Sequence, residues 1–200
     1  MPRQKIKSMK IALFAAVEEE VMSIKDRVHL TGIGRECAMH TILSFMKEHE
    51  HEDFTVLNIG TAGAHTTPIG SILRITEIVS GGSGFLGHPM LTDTLPVTIP
   101  NAIDGKLYSS DCFVSPHVYS ADFLKNLSTK ADCFDMESSA LYSVTKHFGK
   151  PYVSYKIISD HLDVDIDAWH RLVHQVTGTL CNNVLQLLEE IGKRETVELL

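Results

Sequence analysis

Apolar residues along this chain fall into two kinds of run. Short β-rich stretches occur at Lys10 to Ala16, Val28 to Thr31, Phe54 to Ile59, Ile72 to Val79, Tyr108 to Val114 and Tyr152 to Ile158. Several are nearly continuous rather than alternating, which predicts strands buried on both faces. Between them lie helical patterns. One carries Ala38, Ile42, Phe45 and Met46; another carries Met136, Ala140, Leu141, Val144 and Phe148 and is closed by Gly149, with Pro151 beyond as a stop signal. The longest amphipathic segment runs from Ile166 to Ile191 behind an Asp165 cap and is expected to pack across the sheet. This alternation of strand and helix predicts an α/β fold. The expected organisation is a basic tail over residues 1–9, one domain over 10–200, and a frayed end from Arg194 to Leu200. The stretch Gly81 to Pro100, rich in Gly and Pro, predicts a long loop, a feature that in compact domains is often functional.

Composition narrows the classes. A chain of 200 residues supports one sizeable core. Its 44% apolar and 22% charged content is that of an ordinary folded protein, and its formal charge of -7 with no sustained Lys/Arg run argues against nucleic-acid binding. No apolar stretch is long enough to span a bilayer and no secretory h-region is visible, so a cytoplasmic location is expected. The four cysteines, Cys37, Cys112, Cys133 and Cys181, are scattered without metal-ligand spacing and read as reduced thiols. His170 and His174 lie one helical turn apart, but Arg171 stands where a zinc motif needs its Glu, so both read as a solvated face. No metal site and no cofactor are expected, since Asn58 to Ala64 fits neither a P-loop nor a dinucleotide fingerprint.

Three segments place carboxylates where regular elements should end: Glu18-Glu19-Glu20 after the first strand, Met136-Glu137 before a helix, and Ser159-Asp160 closing the last strand. Any one of them has an ordinary explanation in the affinity of acids for helix N-termini. Together they point to a site, because in an open α/β sheet the ligand crevice lies at the carboxyl ends of the strands. Thr61 and Gly63, in the turn after a buried strand, either bring backbone close to a ligand or simply make a tight turn.

In order along the chain, Ile11 to Val21, Thr31-Gly32-Ile33-Gly34, Asn58 to Gly63, Ser110 to Phe113, Asp135 to Ala140 and Ile157-Ile158-Ser159-Asp160 together resemble the nucleoside phosphorylase superfamily, most of all its methylthioadenosine/S-adenosylhomocysteine nucleosidase branch. The resemblance implies a three-layer α/β/α sandwich with a mixed central sheet, a homodimer, and a purine nucleoside as substrate. It also implies roles: Asp160 protonates the purine at N7, Glu137 holds the ribose hydroxyls, and Glu20 activates water. Phe113 matches the aromatic that stacks on the base, the backbone of Val114 the position that reads the base edge, and Met136 a residue packed near the ribose. Ser159 belongs to the Ser-Asp motif, and Thr61 and Gly63 to the strand-end turn. The chemistry is coherent in itself, since breaking a C–N glycosidic bond builds positive charge on the sugar and negative charge on the leaving base. Asp160 then needs a raised pKa, which burial supplies.

The phosphorylases of this superfamily carry an Arg where this chain has Asn58, which favours water over phosphate as nucleophile. Lys156 stands where an Arg is usual in the nucleosidases, so the charge is kept and the fork lost. Thr61 and Ala64 replace the usual Ser and Gly, and Ser110 a common Gly. Two strands usual after the Glu-rich segment are missing between Val21 and Val28, which affects how a 5′ substituent is held. A phosphorylase, or a non-catalytic nucleoside-binding protein on the same fold, stays as the alternative.

Overall fold

The computed structural model describes residues 8–82, 85–86 and 89–200. Its strands are β1 (Ser8–Ala15), β2 (His29–Leu30), β3 (Thr55–Gly63), β4 (Ile72–Gly82), β5 (Phe85–Leu86), β6 (Met90–Leu91), β7 (Ile103–Ser109), β8 (Cys133–Asp135), β9 (Tyr152–Asp160) and β10 (Thr196–Leu199). Its helices are α1 (Arg35–Glu48), α2 (Ala121–Ser128), α3 (Ser138–His147), α4 (Ile166–Leu172) and α5 (His174–Gly192).

The three-layer arrangement follows from which way alternate strand residues point. Ile11 and Leu13 of β1, Leu57 and Ile59 of β3, and Val153, Tyr155 and Ile157 of β9 face one side, where Leu180, Val184, Leu187 and Ile191 of α5 cover them. The residues between them, Ala12, Phe14, Val56, Tyr152 and Ile158, face the other side under Ile42, Phe45 and Met46 of α1 and Leu141 and Val144 of α3. Both faces of the central strands are therefore apolar, as the continuous runs predict. A third cluster packs Leu124 and Leu127 of α2 against Tyr108, Val114 and Phe134 near the strand ends.

The sheet is mixed and partly closes on itself. β3 runs parallel to β1 and β9; β9 is antiparallel to β4; β4 and β7, then β7 and β8, are parallel; and β8 returns to β3 through Gly63 and Phe134. β2 and β10 extend the sheet beside β1. Closure draws the carboxyl ends of β3, β8 and β9 together around Gly63, which is registered with Phe134 on one side and Asp160 on the other.

Several boundaries differ from the sequence expectations. β7 starts at Ile103 and ends at Ser109: the Ser110 amide makes the last bond to β8, on the carbonyl of Asp135 where β8 itself ends, so Ser110 to Val114 is loop rather than strand. Arg194 to Leu200 does not fray as a whole: β10 pairs in parallel with Ser8 to Ile11, where a free sheet edge offers backbone partners. β1 begins at Ser8, inside the expected tail, whose residues 1–7 lie outside the described residues. The Gly81 to Pro100 stretch is less irregular than expected, since β5 and β6 pair antiparallel with β4; Ser83, Gly84, Gly87 and His88 lie outside the described residues. The C-terminal helical segment divides at Val173 into α4, capped by the Asp165 side chain on the Ala168 amide at 2.7 Å, and α5.

Leu180 is fully buried between α5 and the sheet. Leu180→Ala is expected to lower unfolding stability by about 3 kcal/mol, through lost transfer energy and an incompletely collapsed cavity, as read from urea unfolding midpoints.

Candidate active site

The carboxyl ends of the strands border an open cavity of about 560 Å³, solvent at its mouth included. Glu20, Glu137 and Asp160 all line it, as do Thr61, Gly63, Phe113, Val114 and Met136. Ser159 and Lys156 do not reach its surface; they support residues that do.

Glu20 arrives on a single 3-10 turn, Glu18–Glu20, immediately after β1. The turn sends Glu18 out to pair with Lys25 at 2.5 Å and Glu20 inward, where it is 4% exposed. Its carboxylate receives the amide and hydroxyl of Thr61, both at 2.7 Å, and the amide of Ala16 at 3.1 Å. The approach to β3 is so close that a Cβ on Gly60 would sit 2.9 Å from both carboxylate oxygens. Glycine at that position is thus a condition for Glu20 to occupy its place.

Asp160 ends β9. Ser159 Oγ donates to its carboxylate at 2.8 Å and the Leu162 amide at 2.9 Å, the second closing an Asx turn. Leu162 adopts a φ of 65°, a left-handed conformation that a non-glycine residue reaches at a cost of about 1 kcal/mol, which this turn and its packing sustain. Burial pushes the Asp160 carboxyl above its ordinary pKa, against the Ser159 and Leu162 donors that favour its charged form. Gly63 serves Asp160 as Gly60 serves Glu20: an added Cβ would meet Asp160 Oδ1 at 2.9 Å and a Leu162 methyl at 2.6 Å.

Glu137 lies between β8 and α3 as the N-cap residue of that helix. The Gly34 amide donates to it at 2.7 Å and the Met136 amide at 3.3 Å. Gly34 has a φ of 93°, and the turn it makes at the start of α1 aims its N–H at the cavity. Burial, with Asp135 adding to it, pushes the Glu137 carboxyl up to about 7, while Lys156 and the Gly34 amide pull the other way.

Asp135 also lines the cavity, and the sequence reading assigned it no role although it stands in the Asp-Met-Glu motif. Its signal was an acid at a strand end two residues before Glu137. Asp135 accepts from the Ser138 amide and hydroxyl and pairs with Lys156 Nζ at 3.0 Å. Both members of this pair are buried. Burial works against the Lys156 charge, but Asp135, Glu20 and Glu137 outweigh it and hold the lysine above its ordinary pKa. Ser138 Oγ in turn accepts from Asn58 Nδ2 at 2.9 Å, and the same amide donates to the Tyr152 hydroxyl at 2.9 Å. Asn58 is thereby a buried member of a polar chain that runs to Lys156.

The remaining walls are apolar: Ile33 beside Gly34, Phe134 of β8, Leu162, and Ile166 and Trp169 of α4. Trp169 was read only as part of an amphipathic helix, because a tryptophan at helical spacing carries no mark that separates a core from a cavity wall. Among the described residues lining the cavity there is no Lys, Arg or His, and none of the described residues forms a metal-binding cluster. All four cysteines are free.

The model of the phosphorylase superfamily matches residues 92–192, half of the chain. The chain belongs to this superfamily. A relative in Shewanella baltica (strain OS185), a 5′-methylthioadenosine/S-adenosylhomocysteine nucleosidase, is 33% identical over 167 residues, which cover 70% of this chain and 70% of the relative. One of the same name in Shewanella oneidensis is 25% identical over a match of the same length and coverage. Among solved structures, Arabidopsis thaliana 5′-methylthioadenosine nucleosidase superposes with a TM-score of 0.77 at 15% identity, covering 96% of this chain and 98% of that one. The Neisseria meningitidis 5′-methylthioadenosine/S-adenosylhomocysteine nucleosidase, in complex with methylthio-immucillin-A, gives 0.74 at 16% identity, covering 90% and 99%. Helicobacter pylori futalosine hydrolase gives 0.72 at 19%, covering 91% and 98%. At these identities the structural likeness establishes the superfamily's three-layer fold.

Two predictions follow from the site's packing and charge. Gly63→Ala is expected to displace Asp160 and lower turnover at least about tenfold while the fold persists, as read from steady-state base release beside a thermal melt. Glu137 binds its proton more tightly in the folded chain than in the unfolded one, so stability is fully present below about pH 4.5 and declines as pH rises toward 7. Glu137→Gln removes that decline and is expected to gain on the order of 2–3 kcal/mol relative to wild type at pH 8, with little difference at pH 4, as read from urea midpoints.

Proposed function

We propose that this chain is an N-glycosidase that hydrolyses 5′-modified adenosines, such as methylthioadenosine and S-adenosylhomocysteine, or a related purine nucleoside. The observation that carries this reading is the convergence of Glu20, Asp160 and Glu137 from three separate strand ends on one cavity. Such a set suits a reaction whose transition state is cationic at the sugar and anionic at the base.

Asp160 acts as general acid toward the purine N7, and its raised pKa keeps a proton available nearer neutrality. Ser159 and the Leu162 amide aim its carboxyl at the base. Glu137 takes the ribose hydroxyls, its orientation set by the Gly34 amide. Glu20, held as an acceptor by three donors, accepts a proton from the attacking water. Phe113 stacks on the base, the Val114 backbone reads its edge, and Met136 packs against the ribose. Thr61 and Gly63 place Glu20 and Asp160, respectively. Lys156 stands behind the cavity and neutralises Asp135 instead of presenting a fork to the nucleophile.

Water is favoured over phosphate because acids line the cavity, and a phosphate dianion entering it would meet carboxylates with no lining cation among the described residues. The homodimer implied by the family resemblance and the cytoplasmic location expected from the sequence are part of this reading, and light scattering on the purified chain tests the first. No helix among the described residues is long and apolar enough to cross a membrane.

Free base released from methylthioadenosine, S-adenosylhomocysteine, adenosine and inosine, followed by chromatography with and without phosphate, tests the reaction. Release independent of phosphate and strongest for the 5′-thio substrates is expected; strict dependence on phosphate would make the chain a phosphorylase. Asp160→Asn is expected to lower kcat by about 100-fold or more and to retain nucleoside binding. A variant turning over at the wild-type rate would remove Asp160 from the acid role.

A further inference from the structure

Arg35, the first residue of α1, stands outside the cavity and has no part in the reaction described above. Its guanidinium nevertheless reaches three segments of the site's frame. Nη2 donates to the carbonyl of Gly81 at 2.7 Å and to that of Ser109 at 2.9 Å, and Nη1 pairs with the Asp111 carboxylate at 2.8 Å. Gly81 and Ser109 lie at the carboxyl ends of β4 and β7, neighbouring parallel strands. Asp111 belongs to the loop that follows Ser109, the loop that brings Phe113 and Val114 to the cavity wall. The residue before Arg35 is Gly34, whose amide holds Glu137, and the residue before that is Ile33, itself a wall residue.

We infer that Arg35 is a positioning residue that couples the base-stacking loop to the Gly34–Glu137 contact, so that the two halves of the nucleoside are gripped in fixed register. The inference rests on the nucleosidase reading for the identity of what is gripped. Loop Ser110 to Val114 has left the sheet and lacks a strand's ladder to hold it. On its own side it is tied through Ser110, whose Oγ meets the Tyr119 hydroxyl at 2.9 Å and the Cys112 amide at 3.2 Å. Its first residue is tied to β8 through the Ser110 amide on the Asp135 carbonyl at 2.8 Å, and its side-chain tie across the cavity rim is Asp111 to Arg35. A planar fork with several fixed donors spans two carbonyls and a carboxylate at once, which a lysine ammonium cannot do in the same geometry.

The two arms of the clamp differ in setting. Arg35 is 23% exposed and Asp111 52%, so the Asp111 arm is half solvated and sensitive to salt. An ion pair of that kind contributes little to global stability. Loss of the arm therefore weakens ground-state and transition-state binding alike, and its signature is a raised KM at constant kcat.

The test compares wild type, Asp111→Ala and Arg35→Lys by steady-state base release from methylthioadenosine at low and high salt, by thermal melts, and by adenine binding. The chain's single tryptophan, Trp169, lines the cavity and reports adenine binding by fluorescence. For Asp111→Ala the expectation is a rise of about fivefold or more in KM and in adenine Kd, kcat within about twofold, and an unchanged melting temperature. Salt is expected to raise the wild-type KM and to leave that of Asp111→Ala flat. Arg35→Lys is expected to raise KM further, because it loses the carbonyl arms as well. Variants with wild-type KM, adenine Kd and salt response would overturn the inference, as would a melting-temperature loss with KM unmoved. Wild-type protein that binds no purine base and releases none from methylthioadenosine, S-adenosylhomocysteine, adenosine or inosine would overturn the nucleosidase reading and this inference together; an active wild type with indifferent variants overturns the inference alone.

Discussion

Four carboxylates and one ammonium group lie buried at the same end of the sheet: Glu20, Asp135, Glu137, Asp160 and Lys156. Two unit charges about 4 Å apart in a partly polar interior interact by about 4 kcal/mol, so this group cannot be arbitrarily ionised. The compensation is uneven, and the unevenness sorts the acids. Glu20 receives three donors, and Asp135 receives a cation together with the Ser138 amide and hydroxyl. Glu137 and Asp160 receive two hydrogen bonds each, and burial pushes both of these carboxyls up. A reaction that needs one acid protonated and another acting as acceptor requires such a division.

That crowding is a product of how the sheet is built. Closure of β3, β9, β4, β7 and β8 makes the ends of β3, β8 and β9 neighbours, although β3 and β9 are separated by nearly a hundred residues in sequence. Gly60 and Gly63 then determine how near the side chains come, since a methyl group at either would strike a carboxylate. The apolar layers on both faces supply the stability against which the buried charge and the left-handed Leu162 are held. Burial energy gathered across the domain thus sustains an arrangement that is locally unfavourable.

The parts of this fold that were readable from sequence are those where local and global preferences agree. Continuous apolar runs gave the buried strands, and the three- and four-residue steps from Ile166 to Ile191 gave the helices of the α5 face, because periodicity survives any tertiary arrangement. β8 and β10 escaped, having three and four residues and being strands only because neighbours offer backbone partners. The end of β7 differs from the apolar run because Phe113 and Val114 look like strand residues, whereas the partner strand β8 ends at Asp135 and offers them no backbone groups. At the site, the acids at strand ends were visible as types and spacing. Asp135 and Trp169 were not, since their place depends on which side of a closed sheet they meet. Arg35 was hidden for a similar reason: its partners lie about 46, 74 and 76 positions away, and no local pattern foretells a contact at that range.

The choice of nucleophile returns to the same charge balance. By the family resemblance Asn58 stands where the superfamily's phosphorylases carry an Arg, and here its neutral amide donates to Ser138 at the start of α3 and to Tyr152 of β9. The Ser138 hydroxyl passes the chain on to Asp135, and Asp135 takes up Lys156. The positive charge that a phosphate would need is therefore already committed one layer behind the cavity wall. An arginine at position 58 would displace the amide from a packed polar chain and set a second cation near Lys156. On this argument the nucleophile is coupled to the whole buried network, and converting such a site to phosphorolysis demands more than one substitution.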